Sequence, residues 1–337
     1  MPSSLIVDPT TANIDDAADL LRRGELVAFS TETVYGLGAD ARSSEAVGRI
    51  FAAKGRPADH PLIVHISDIS ELTQWAAEVP DSAIKLAQAF WPGPLTMILR
   101  RGNNVIDEVT GGQPTIGLRI PAHPVALKLL RRFGSGIAAP SANRFGQVSP
   151  TTAAHVADGL GDRAGLILDG GPCAIGIESS IVDLTGARPR LLRPGMLSCA
   201  AIEKVLGTAF DRNNSIALRV SGSLQSHYAP HTPVRWLSAD EIAKALTHKA
   251  GRLPMGVIAM EDKPVETMAA SRWRNLSAEP DAYAHQLYAQ LRELDTLNLE
   301  LILIEIPPDT AEWEAVRDRL WRAVGGCNAG EVTKRHE

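Results

Sequence analysis

Apolar positions recur along this chain in two rhythms, short continuous runs and repeats of three to four residues, and together they predict an α/β protein. Residues 12–23 read as an amphipathic helix: Ile14, Ala17, Ala18 and Leu21 fall at helical spacing, Asp15 and Asp16 lie near its start, and Gly24 closes it. The run 25–30 predicts a buried strand, and 31–38, Thr-Glu-Thr-Val-Tyr-Gly-Leu-Gly, a polar loop punctuated by glycine. Ser43 or Ser44 caps a helix with Val47, Ile50 and Phe51 on its apolar face, and Gly55 stands at its left-handed end, so Lys54 falls in the last turn. Further strands are predicted at 61–66, 95–99, 115–121, 136–140, 166–169, 181–183 and up to 193. Helices near 80–90, through Val125, Leu129 and Leu130 to Gly134, and near 151–159 separate them.

The periodicity fades over 207–233 into polar, Ser- and Pro-rich sequence that reads as a linker. Beyond it, strands at 234–237, 255–260 and 299–306 alternate with helices at 239–249, 280–294 and 311–324, the pattern of a small parallel, Rossmann-like sheet. That sheet lacks a Gly-x-Gly-x-x-Gly fingerprint, so its topology alone does not imply nucleotide binding. The division expected is a first domain at 1–207, a linker or lid at 208–233, a smaller domain at 234–330 and a disordered tail at 331–337.

Composition narrows the class. With 337 residues, two domains are the prior, and 45% hydrophobic with 22% charged residues is ordinary for globular proteins. A net charge of −5 argues against a protein that coats nucleic acid. The three cysteines, Cys173, Cys199 and Cys327, are widely spaced and support neither a disulfide framework nor a thiolate zinc site. The first residues lack a basic, then apolar, leader, and no apolar run approaches the ~20 residues that span a bilayer, so a cytoplasmic location away from membranes is expected.

The candidate chemistry lies at the ends of the apolar runs, where ligands of α/β sheets collect: Thr33, Arg56, Ser141, Ser179 and Arg193. Lys54-Gly55-Arg56-Pro57 facing Ser141-Ala142-Asn143 would set two cations against two short hydrogen-bonding side chains, a cradle for a polyphosphate and its sugar. Each motif also has a plain reading: Lys54 and Arg56 complement the helix dipole, and Ser141 and Asn143 make a turn. Arg119, among apolar neighbours in a strand, needs a buried carboxylate or a bound anion if it points inward and nothing if it points outward. His65 interrupts another strand and reads as a core histidine. His227 and His231 are four apart, but flanking prolines and the missing following glutamate argue against a metal helix.

In order along the chain, the 31–38 loop, Lys54-Gly55-Arg56-Pro57, Pro61-Leu62-Ile63-Val64-His65, Trp91-Pro92-Gly93-Pro94-Leu95-Thr96, Gly117-Leu118-Arg119, Pro140-Ser141-Ala142-Asn143, Ser179-Ser180-Ile181-Val182-Asp183, Arg193-Pro194-Gly195 and His227-Tyr228-Ala229-Pro230 resemble the YrdC-like family in its longer, two-domain threonylcarbamoyl-AMP synthase form. The resemblance implies a twisted mixed α/β sheet with a concave basic cleft, followed by a smaller Rossmann-like domain. It implies condensation of L-threonine, bicarbonate and ATP to threonylcarbamoyl-AMP and pyrophosphate, for threonylcarbamoyladenosine modification of tRNA next to the anticodon. Carried over by position, Thr33, His65, Arg119 and Ser179 would hold threonine. Lys54, Arg56, Thr115, Ser141, Asn143, Ser149 and Arg193 would hold ATP, with Lys54 and Arg56 also catalytic and Tyr228 closing the site from the linker. His60, counted with the ATP residues, stands where many relatives have asparagine. The implied partners are a downstream threonylcarbamoyl transferase and, at most weakly, tRNA. Mg2+ would arrive with ATP, since the sequence offers no carboxylate cluster for a resident metal. The alternatives are a double-stranded RNA-binding module without catalysis and a carbamoyl-adenylate former in metallocentre maturation. Net acidity counts against the first, and the absence of zinc-finger cysteines against the second.

Overall fold

The protein is described by a computed structural model that covers residues 6–211, 218–220, 222, 227–249, 254–260 and 272–325. Its contacts divide into two units, Met1–Phe145 with Ser149–Ser223, and Gly146–Val148 with Leu224–Glu337. The tail expected at 331–337 and part of the expected linker lie outside the described residues.

The first unit is built on a mixed ten-stranded sheet. Across it the strands run Ile6–Val7, Leu166–Leu168, Val27–Phe29, Gly36–Asp40, Ile137–Ala138, Ile63–His65, Thr115–Arg119, Leu95–Arg100, Ser180–Asp183 and Arg190–Arg193. Period-two alternation decides what each strand offers to each face. Val64, Leu95, Met97, Leu99, Ile116 and Leu118 enter one large apolar core, with Leu62 and Ile66 flanking them. On the opposite face two helices, Thr11–Arg22 and Pro124–Phe133, press Ile14, Ala17, Leu21, Val125, Leu129 and Leu130 onto Val27, Phe29, Ile137 and Leu168. Register then places polar groups in line on that second face. His65 is paired with Ile137 on one side and Arg119 on the other, and one further step across the sheet brings Arg119 level with Thr96, which is paired with Ile181. Paired residues share a face, so His65, Arg119 and Thr96 form a polar row between apolar neighbours.

The helix Ser44–Lys54 begins on Ser43, whose hydroxyl accepts the Ala46 amide at 3.2 Å, and ends on Gly55 at φ 63°. It thereby delivers Lys54 and Arg56 to one turn. The loop expected at 31–38 is shorter than its sequence implies, because Gly36–Asp40 is a strand antiparallel to Val27–Phe29. These glycines serve close packing: a Cβ on Gly38 would stand 2.8 Å from both Ile137 and Phe29 side-chain atoms.

The second unit has four strands in the order Val234–Leu237, Leu301–Glu305, Met255–Ala259 and Trp273–Asn275, and they run parallel, as the strand–helix alternation predicts. The last of these, and the first unit's helix Cys199–Leu206, were not expected from the pattern. Ile242, Leu246, Val257 and Leu303 centre its core. No helix among the described residues is long and apolar enough to cross a membrane.

Candidate active site

Arg119 organises the polar row. It is 4% exposed, and its guanidinium donates to Gly93 O at 3.1 Å, to Thr33 Oγ1 at 2.9 Å and to Glu32 Oε1 at 2.5 Å. The inward reading of Arg119 therefore holds, and its partner is a buried carboxylate, Glu32. The other Glu32 oxygen accepts the Ala122 amide at 3.0 Å, so the carboxylate ties the 31–35 turn to the end of the Arg119 strand. Within that turn Thr31 Oγ1 accepts the amides of Thr33 and Val34, both at 3.2 Å, and donates to Val34 O at 2.6 Å. This hydroxyl-made turn fixes Thr33 before any ligand arrives.

His65, beside Arg119, is buried with its ring edge against Phe29, and its Nδ1 has no hydrogen-bond partner among the described residues. Burial, helped by the positive charge of Arg119, pushes its pKa down to about 3. A neutral imidazole is what this site holds near pH 7. On the next strands Thr96 and Ser179 hydroxyls meet at 2.8 Å, and Arg193 reaches Ser179 through its Nη2 (3.1 Å to Oγ) and its Nε (3.0 Å to the carbonyl).

The Lys54 group forms separately. Lys54 is 4% exposed, and its ammonium donates to the carbonyls of Ser141 and Asn143, each at 2.5 Å. The Lys54–Pro57 and Ser141–Asn143 motifs thus meet, through the backbone of the second rather than its side chains. Burial first, and the Arg56 charge second, hold the Lys54 pKa well below its ordinary value. Arg56 donates to Pro61 O at 2.9 Å and lies over the Phe145 ring, 5.8 Å from its centroid. His60 meets the same ring edge-on at 5.3 Å, and its pKa is lowered by burial and then by Arg56. Thr115 is buried at the start of the Arg119 strand, on the same face as Arg119. Ser149 donates to Glu178 at 2.6 Å.

Tyr228 belongs to the second unit. There its ring is buried, stacked on Tyr288 at 5.7 Å with Arg319 over its face, on a backbone at φ 60°. Glu32, Thr31, Thr96, Phe145 and Glu178 are the site neighbours that sequence reasoning missed. An inward Arg119 announced the need for a buried carboxylate or a bound anion, but Glu32 sat unmarked within a loop read for its hydroxyls and glycines.

A mixed sheet with a buried Arg–carboxylate pair and hydroxyls on one face, and a separate turn that carries a buried Lys and Arg, defines the class as an α/β protein with two buried cationic groups. Comparison with known proteins narrows this class. The family model described as "Telomere recombination", of Sua5, YciO and YrdC proteins, matches residues 19–195, and that described as "Threonylcarbamoyl-AMP synthase, C-terminal domain" matches 197–325. The chain is 41% identical to a threonylcarbamoyl-AMP synthase of Bacillus subtilis over 93% of each chain. To that of Pyrococcus abyssi it is 39% identical over 92% of this chain and 93% of the other. The crystal structure of P. abyssi Sua5 complexed with L-threonine superposes with a TM-score of 0.86 at 39% identity, covering 95% of this chain and 96% of that one. The chain belongs to the two-domain Sua5/YrdC family of threonylcarbamoyl-AMP synthases.

Proposed function

We propose that this enzyme condenses L-threonine, bicarbonate and ATP to threonylcarbamoyl-AMP and pyrophosphate, and so acts as a nucleotidyltransferase. One observation carries the reading: a buried guanidinium stands among His65, Thr33 and Thr96 in a chain similar across its length to a protein solved with L-threonine. The uncatalysed RNA-binding alternative is not favoured by likeness to synthases at such coverage.

In the proposed roles Arg119 pairs the substrate carboxylate, while Thr33, His65 and Ser179 hold the rest of threonine. Lys54, Arg56, Thr115, Ser141, Asn143, Ser149 and Arg193 hold the nucleotide, with His60 beside it. Threonine's amine must carry CO2 as a carbamate, whose oxygen attacks the α-phosphorus as pyrophosphate leaves. Such a site mainly aligns reactants, excludes water from the carbamate and neutralises charge; it supplies no covalent nucleophile. Lys54 and Arg56 fit the neutralising role, since burial and the adjacent Arg56 charge disfavour the Lys54 ammonium until a polyphosphate arrives to balance both. Any Mg2+ would arrive as the triphosphate's own counter-ion. Among the described residues no three His, Cys, Asp or Glu side chains cluster to hold a metal. The product would pass in the cytoplasm to a threonylcarbamoyl transferase acting on tRNA.

The purified protein should release pyrophosphate from ATP only when threonine and bicarbonate are both present. No release from folded protein, under conditions in which a known relative turns over, would reject the assignment.

A further inference from the structure

We propose that Glu32 determines which class of carboxylate this site accepts: it makes Arg119 half of a neutral pair, so that the site takes a zwitterionic amino acid and discriminates against a simple carboxylate anion. This rests on the reading that Arg119 receives the substrate carboxylate.

The pair is buried on both sides. Glu32 is 7% exposed and Arg119 4%, with 2.5 Å between Oε1 and Nη2. Among the described residues, three of the guanidinium's five N–H groups are engaged, by Gly93, Thr33 and Glu32, which leaves two for a ligand. Three titratable neighbours of the pair, His65, Cys173 and His123, are held neutral near pH 7. Burial pushes His65 down to about 3 and Cys173 up to about 12, and it lowers His123 from its ordinary value. Among the hydrogen-bond partners of Arg119 in the described residues, Glu32 alone carries a charge. An unbalanced buried arginine attracts any carboxylate, whereas a balanced one offers an anion little net attraction to repay its desolvation. A zwitterion brings its own ammonium next to its carboxylate and can lay both charges against the pair. Glu32 does not occupy a spare corner of the fold, because both its oxygens are spent orienting the strand end and turn that frame Arg119.

The test compares L-threonine with 3-hydroxybutanoate, which keeps the carboxylate and hydroxyl and lacks the ammonium, in the full-length enzyme and in Glu32→Gln. The amide preserves shape and one hydrogen bond while removing the charge. The expected result is a KM for threonine raised roughly ten- to a hundredfold, the scale of a lost charge-assisted interaction. The KM for ATP should stay near the wild-type value, and 3-hydroxybutanoate should become a tighter competitive inhibitor. Glu32→Asp, which keeps the charge with a shorter reach, should retain the preference for threonine over 3-hydroxybutanoate even where its KM rises. If Glu32→Gln weakens both ligands by the same factor, or neither, the proposal is overturned. Equal affinity of the wild-type enzyme for threonine and 3-hydroxybutanoate also overturns it, and needs no variant to fold. Arg119→Gln serves as the control: an unchanged KM for threonine there would remove the Arg119 assignment and this proposal together, while a raised one confines any failure to Glu32.

Discussion

Arg56 illustrates how one side chain would serve the fold and its proposed nucleotide unequally. Its contacts within the chain include a hydrogen bond to Pro61 O and the face of Phe145, neither of them a member of the large apolar core. Arg56→Ala should therefore cost about 1 kcal/mol of stability, the net worth of a hydrogen bond, and leave the urea unfolding midpoint close to wild type. A bidentate-capable cation lost from a polyphosphate site has a larger effect, and the KM for ATP should rise at least roughly tenfold with threonine binding little changed. Unfolding of the variant in place of that kinetic loss would return Arg56 to a purely structural role. Arg119 differs, since its partner Glu32 is itself buried; removing either leaves a charge without compensation.

At the scale of elements, the decisive pieces are a helix end and a hairpin. The helix Ser44–Lys54 was legible down to its caps, because Ser43 and Gly55 are the residue types those positions demand. The hairpin was only half legible: the run 25–30 announced a strand, but Gly36 and Gly38 resembled loop residues when their work is to let Phe29 and Ile137 close over the backbone. Gly38→Ala should accordingly destabilise by about 1–3 kcal/mol through overpacking, read from denaturant unfolding. It should also raise the KM for threonine, because the strand that moves carries the turn holding Thr33 and Glu32 against Arg119. A variant as stable as wild type would show that the packing yields at no cost.

At the scale of the molecule, stability and pH are coupled through His65. An unfolded histidine titrates near 6.5, and in the folded chain burial and Arg119 bring this one to about 3. Below pH 6.5 the unfolded chain thus binds a proton the folded chain refuses, and stability falls with pH through that window, by a few kcal/mol at its lower end. The contribution is fully present above pH 6.5. Urea midpoints measured from about pH 7 to about pH 4 should fall more steeply for the wild type than for His65→Gln, and equal slopes would mean that the imidazole is charged where it lies.

The sequence by itself determined much of this protein. Its two periodicities set out most of the strand–helix order, and its cap residues brought Lys54 and Arg56 into one turn, because these are local consequences of residue type along the chain. The ordered motifs at their spacing pointed to the family. What only the tertiary structure decided was pairing between distant positions. That Arg119 faces Glu32, that Thr96 meets Ser179 and that Lys54 grips the backbone of Ser141 and Asn143 all depend on sheet register and burial, which set side chains from separate strands at hydrogen-bond distance. A buried charge demands a partner, and the sequence raises that demand at Arg119 only if the side chain points inward; the fold decides that it does and names the residue that meets it.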